Sequence, residues 1–194
     1  MNGVVRNRTY DVAVVGAGVF GAWTAFQLQQ SGKRVALIDA YGAGNSRSSS
    51  GDESRIIRMG YGADEIYTRS AWRSLQLWKE LFARTGASLF HQTGVLWLAH
   101  EGDPYPIKSF ETLTRLGIPI ERLKSQEISN RYPQISTNGI SEAFFEPESG
   151  VLLARHAVQA VVSETIKRGA DYFQEAIVPP RVGEPVESLT TSGG

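Results

Sequence analysis

Two short apolar runs, residues 12–15 and 35–38, bracket a stretch with a helical repeat. Within it Ala22, Ala25, Phe26 and Leu28 fall mainly on one side, and Gln27, Gln29 and Gln30 largely on the other. The pattern predicts a strand, a helix over about 20–31 and a second strand: one β-α-β unit across 9–40. Ser31-Gly32-Lys33 supplies a glycine stop for the helix. The next periodic stretch predicts a long helix over about 64–85, with Asp64 as N-cap and Gly86 as stop. Its stripe of Tyr67, Ala71, Leu75, Trp78, Leu81 and Phe82 reads as core. Beyond Gly86 the elements shorten. Strands are expected at 88–90, 94–99, 120–123, 143–145 and 151–153, and helices at 107–116, 126–131 and 155–168. A last strand is expected over 170–178. Residues 41–51, rich in Gly, Ser and Asn, read as an exposed loop, and 179–194 as a Pro-, Ser- and Gly-rich stretch without periodicity.

Composition narrows the class more than it identifies it. The 194 residues carry 20 Lys and Arg against 20 Asp and Glu, so no net charge suggests nucleic acid as a partner. No apolar run is long enough to span a membrane, and residues 1–9 lack the apolar core of a secretion signal. The absence of cysteine removes disulfides and thiolate chemistry and fits the cytoplasm. His91, His100 and His156 lack metal-ligand spacing, so no metal site is expected. Trp72, Trp78 and Trp97 read as packing, and Glu146 and Glu148 as solvated residues of a turn.

The chemistry lies between the first two strands. Gly16-Ala17-Gly18-Val19-Phe20-Gly21 joins the first strand to the helix, and Asp39 closes the second. In such a unit Gly16 permits the sharp turn. Gly18 removes a side chain that would block a pyrophosphate, and Gly21 lets the helix lie close to the strand. The helix N-terminus, with Val19 and Phe20 in its first turn, presents N–H groups and a partial positive charge to phosphates. A carboxylate at Asp39 can accept ribose hydroxyls and repels a 2′-phosphate, which favours FAD or NAD over NADP. The fingerprint alone leaves FAD and NAD open.

A second segment, Ser48-Ser49-Ser50-Gly51-Asp52-Glu53-Ser54-Arg55-Ile56-Ile57-Arg58, sets two arginines beside apolar residues. Buried guanidinium groups need anionic partners. A flavin, a pyrophosphate or a substrate carboxylate would serve. So would Asp52 and Glu53 in a simple surface turn.

Taken with Tyr61-Gly62, Thr93-Gly94-Val95-Leu96 and Phe145-Glu146-Pro147-Glu148-Ser149-Gly150-Val151-Leu152, these motifs resemble, in order over 9–178, the N-terminal half of the FAD-dependent amine oxidoreductases of the D-amino-acid-oxidase-like group. That group includes the sarcosine and N-methyltryptophan oxidases. The resemblance selects FAD over NAD and implies an α/β fold: a Rossmann-like FAD-binding β-α-β domain interleaved with a mixed-sheet substrate domain. It divides the chain into FAD-binding 9–86, substrate-domain 87–153, a return to the FAD domain over 154–178, and a tail or continuation at 179–194. Gly16, Gly18, Val19, Phe20, Gly21 and Asp39 would hold the ADP half. Ser49, Ser54 and Arg55 would line the path to the flavin ring, and Val178 would lie beside the adenine. Arg58 would grip a substrate carboxylate, and Arg55 would add positive charge near the flavin. The implied reaction is oxidation of the C–N bond of an amine or amino acid, with oxygen or another acceptor taking the electrons. Members of the group are about twice as long, so a truncated chain is expected. The alternative is a non-catalytic nucleotide-binding module or remnant.

Overall fold

A computed structural model of the chain describes residues 8–180, 183 and 188–193. In chain order the elements are β1 (Val12–Val15), α1 (Val19–Gln30), β2 (Val35–Ile38), β3 (Arg55–Ile57), α2 (Glu65–Thr85), β4 (Phe90–His91), β5 (Val95–Ala99), α3 (Pro104–Arg115), β6 (Glu121–Lys124), α4 (Ser125–Arg131), β7 (Glu142–Glu146), β8 (Gly150–Leu152), α5 (Ala154–Lys167) and β9 (Asp171–Phe173). They assort into two compact units. Met1–Arg55 joins Leu153–Gly194 in the first, and Ile56–Leu152 forms the second. Among the described residues no helix is long and apolar enough to cross a membrane.

The first unit is built on a parallel sheet of order β1-β2-β9. The central strand β2 pairs on both sides, and all four of its residues are buried. That is why it reads as an unbroken apolar run rather than an alternation. Among the described residues strand β1 pairs with β2 alone, and it alternates half-buried and exposed residues. Helix α1 buries Ala22, Ala25 and Phe26 and packs on α5. The latter contributes Ala157, Val158, Val161 and Val162. Burying a Val- or Phe-sized side chain is worth about 1.5–3 kcal/mol, so this face contributes much of the unit's stability. The expected strand at 170–178 is only three residues long. Beyond it, Ile177 forms an isolated antiparallel bridge with Thr191.

At the start of β1 an ion pair makes one pH-dependent contribution. Arg34 donates to Asp11 through Nη2 (3.0 Å) and through its backbone N–H (2.8 Å). These bonds, the side-chain one first, lower the Asp11 pKa from 3.8 to about 2. Because the folded value lies below the unfolded one, the contribution is complete above about pH 4 and disappears as pH falls through 2. Asp11→Asn is therefore expected to lower stability above about pH 4, to flatten the stability–pH curve between pH 4 and 2, and to converge on wild type below pH 2, as read from urea midpoints. An unaltered slope would exclude the pair as a source of acid sensitivity.

The second unit holds two small sheets. One has order β5-β7-β6, antiparallel throughout, with Val95 opposite Glu146 and Glu121 opposite Phe145. The other has order β3-β8-β4, with β3 beginning on the last residue of the first unit. Met59, Leu75, Leu113 and Ile118 form one core cluster, and Leu123, Ile128 and Ala143 another. Helix α2 buries Thr68, Leu75, Trp78, Leu81 and Phe82 and ends on left-handed Gly86 (φ 69°). One expectation for this helix fails. Tyr67 is 60 % exposed and meets the Tyr61 ring instead of the core, because Thr68 lies in line with Leu75 and Phe82. Asp64 is the N-cap residue, as expected, although its side chain makes no capping bond. Helix α3 starts three residues before the expected 107. Asp103 Oδ1 accepts the Tyr105 N–H, and Pro104 occupies a first-turn position that needs no N–H donor.

Candidate functional site

The glycine turn of the first unit is fixed by two different constraints. Gly16 has φ 104°, a conformation that side-chain-bearing residues rarely adopt. At Gly21 a Cβ would stand 1.8 Å from the Gly16 carbonyl oxygen. Gly18 differs from both. Its Cβ would meet only the Ser48 Cβ and the Ser50 Oγ at 3.6 Å, an ordinary contact. Nothing in the chain itself demands glycine there.

The mouth of α1 is partly satisfied from within. The Val19 N–H donates to Ser50 Oγ (3.1 Å), and the Ala17 N–H to Asp39 Oδ2 (2.7 Å). The N–H groups of Gly18, Phe20 and Gly21 have no acceptor among the described residues. Three unpaired donors at a helix N-terminus form an anion site of the kind that binds phosphate. Phe20 itself projects outward, 86 % exposed.

Asp39 is more heavily engaged than a ribose ligand alone would require. Its Oδ1 accepts the Tyr41 N–H (2.8 Å), the Gly42 N–H (2.9 Å) and Asn45 Nδ2 (3.2 Å). With Ala17 on Oδ2, the carboxylate ties the glycine turn to the turn that follows β2. Each carboxylate oxygen offers about two acceptor positions; three donors crowd Oδ1 and one takes Oδ2, so the position still open lies on Oδ2. The 41–46 turn also borders a concavity of about 450 Å³, lined in addition by Arg155, Gln159, Tyr172 and Gln174.

The loop expected to be exposed is anchored at its far end. Gly44, Ser50 and Gly51 are buried. A Cβ at Gly51 would lie 2.0 Å from the Asn45 carbonyl oxygen. Arg155 of α5 donates from Nε (2.9 Å) and Nη2 (2.7 Å) to the Gly51 carbonyl. It thereby holds the loop that carries Ser50 to the helix mouth. Neither Ser50 nor Arg155 is conspicuous in the sequence, since both act through contacts distant along the chain.

Three of the remaining expected residues, Ser49, Ser54 and Arg55, come together. Ser49 and Ser54 are exposed, and each offers its carbonyl to Arg55, at 2.6 and 2.9 Å. Arg55 also pairs with Asp52 at 2.6 Å, as the surface-turn reading expects. Val178 is 52 % exposed, and its N–H is taken by the Thr190 carbonyl.

Arg58, in the second unit, has no acidic partner among the described residues, so the surface-turn reading fails for it. Its guanidinium lies over the rings of Tyr61 (4.5 Å) and Trp97 (5.0 Å). Nη1 donates to the Gly60 carbonyl and to Tyr105 Oη (3.4 Å). Nε and Nη2 form no hydrogen bond to the described residues. These two donors constitute the edge of a guanidinium that can take a carboxylate in two parallel bonds. Aromatic faces stabilise the cation without neutralising it.

Glu146 overturns its reading as a solvated turn residue. It is 1 % exposed and accepts four donors: the backbone N–H groups of Met59 (2.6 Å) and Gly60 (2.9 Å), Trp97 Nε1 (2.7 Å) and Ser149 Oγ. Glu148, by contrast, pairs with Lys79 at 2.7 Å. Trp97, read as packing, also serves as a hydrogen-bond donor and as a face for Arg58.

Comparison with known proteins identifies relatives of the chain. Residues 11–194 match the family of FAD-dependent oxidoreductases designated DAO. The chain is 34% identical over 162 residues to monomeric sarcosine oxidase of Bacillus sp. (strain B-0618), covering 83% of this chain and 42% of that protein. It is 34% identical over 184 residues to peroxisomal sarcosine oxidase of Mus musculus, covering 94% and 47%. Among solved structures, L-proline dehydrogenase from P. horikoshii superposes with a TM-score of 0.82 at 23% identity, over 94% of this chain and 49% of that one. That last likeness is one of fold. The chain spans about half the length of the curated relatives it matches.

Proposed function

The chain belongs to the DAO family of FAD-dependent oxidoreductases, and on that premise we propose that it carries the dinucleotide cradle and the carboxylate grip of an enzyme that oxidises the C–N bond of an amino acid or N-methyl amino acid. The observation that carries this reading is Arg58, a cation with no acidic partner among the described residues and with two donors still open. The names of the relatives, sarcosine oxidases from a bacterium and from mouse, support an amine beside a carboxylate as the substrate class.

The residues of the cradle fit the ADP half of FAD. The unpaired N–H groups of Gly18, Phe20 and Gly21 would donate to the diphosphate, and the open position on Asp39 Oδ2 would accept a ribose hydroxyl. Ser49, Ser54 and Arg55 are proposed to border the flavin, and Val178 the adenine. FAD when bound supplies a two-electron acceptor. Arg58 would take the substrate carboxylate on Nε and Nη2 and so fix which C–H bond is presented. Restricting the substrate to one orientation is itself a source of rate. The substrate would lose a hydride equivalent and a proton to give an imine, which water hydrolyses. Oxygen or another acceptor would take the electrons.

The test is equilibrium dialysis of the FAD-loaded chain against N-methylglycine and, separately, dimethylamine. Wild type is expected to favour the carboxylate-bearing probe. Arg58→Ala should remove that preference, a loss of about tenfold or more for a charge-assisted bidentate contact. Equal loss of both probes would exclude the grip. Retention of ADP without any flavin spectrum would favour a non-catalytic nucleotide-binding module.

A further inference from the structure

We infer that Glu146 is the positioning residue of the Arg58 site: its buried carboxylate fixes the backbone and the aromatic face that aim the guanidinium. The inference rests on the reading of Arg58 as a carboxylate grip. Four donors converge on Glu146, and no cation is among them. Two are the backbone amides of Met59 and Gly60, the residues that follow Arg58 directly. Holding both amides in one carboxylate fixes the chain direction at Arg58. The Gly60 carbonyl in turn accepts Arg58 Nη1, so the same short segment restrains the guanidinium at its far end.

The third donor is the Trp97 indole, whose ring lies 5.0 Å from the guanidinium carbon. An indole N–H given to a carboxylate pushes electron density into the ring and strengthens its attraction for a cation. Glu146 therefore acts on Arg58 twice, through the backbone and through the ring. The fit leaves no space to spare. A Cβ on Gly60 would stand 2.8 Å from Glu146 Oε1 and 3.3 Å from Ser109. Ser149 supplies the fourth donor and fills the remaining side of the carboxylate.

Glu146→Gln keeps the side chain's size but replaces one acceptor oxygen with a donor, so at least one of the backbone or indole bonds must break, since only the Ser149 hydroxyl can turn round and accept. The FAD-loaded variant is expected to lose roughly tenfold of its preference for N-methylglycine over dimethylamine. In nitrogen-15 NMR spectra its Arg58 Nε–H and Trp97 Nε1–H resonances should move, while amides of the first unit stay in place. A merely structural role would lower the melting temperature and leave both the preference and the Arg58 resonance unchanged, which would overturn the inference. If Arg58→Ala fails to change the preference, the grip itself is wrong, whatever Glu146 does. Should Glu146→Gln not fold, hydrogen exchange of wild type decides. The Met59 and Gly60 amides and the Trp97 indole proton are expected to be strongly protected, also in Arg58→Ala. Exchange at the rate of open amides would refute the role.

Discussion

Gly21→Ala is expected to disrupt the first unit, with a loss of about 3 kcal/mol or more. Overpacking commonly costs about 1–3 kcal/mol when side chains can yield. Here the new methyl would overlap a backbone carbonyl, the Gly16 oxygen at 1.8 Å, which has no rotamer to adopt. Relief requires the start of α1 to lift from the turn, which would scatter the three N–H groups proposed to receive the diphosphate. Gly18→Ala provides the contrast. Its methyl meets ordinary contacts at 3.6 Å, so stability should change by no more than about 1 kcal/mol, while FAD affinity should fall at least tenfold. Urea midpoints and flavin fluorescence titrations separate the two effects. If Gly18→Ala bound FAD as wild type does, the diphosphate would not lie over that backbone.

Asp39→Ala is the second large effect, and most of it should appear without any ligand. The carboxylate collects the Ala17, Tyr41 and Gly42 amides and the Asn45 side chain. Leaving a buried donor unpaired costs about 1–3 kcal/mol. Tyr41 is exposed and water can replace its partner, but Ala17 is buried and Gly42 and Asn45 are only partly accessible. A loss of about 2–4 kcal/mol is therefore expected, with hydrogen exchange of the Ala17 amide accelerated by a similar factor. Asp39→Asn should fall between, since it keeps one acceptor oxygen. Unchanged stability with an unchanged Ala17 exchange rate would mean that the carboxylate does not tie the two turns together.

The β-α-β core is legible in the sequence because every local signal there points the same way. Apolar runs of strand length, Gly16 at a positive φ, a helical repeat with a glycine stop and a terminal carboxylate are mutually consistent. Elements of the second unit are legible in type but less so in extent. The start of α3 depends on reading Asp103-Pro104 as a cap and first turn, not as a breaker. Tyr67 shares a helical repeat with core residues yet lies on the wrong side of α2, a distinction that only the neighbouring elements make. Glu146 is the clearest case of what local pattern cannot carry. Glu-Pro-Glu-Ser-Gly has turn composition, and two of the carboxylate's partners, Met59 and Gly60, are 87 and 86 residues away. The same holds for Arg155, whose acceptor Gly51 is 104 residues distant. Arg55 and Arg58 look alike in sequence. The neighbouring acid captures one, whereas aromatic rings surround the other.

The interleaving of the two units bears on how the protein is made. Strand β1 has its partner as soon as β2 emerges, but the other side of β2 must wait for β9. Residues 56–152 are synthesised in the interval. Throughout that delay Val35, Ala36, Leu37 and Ile38 present an apolar strand with one unpaired rim, the kind of template on which nascent chains associate. The second unit is a single continuous segment and can reach its own contacts meanwhile. Translation thus completes the second unit while the sheet of the first still lacks β9, and anything that slows the ribosome before α5 prolongs the exposure.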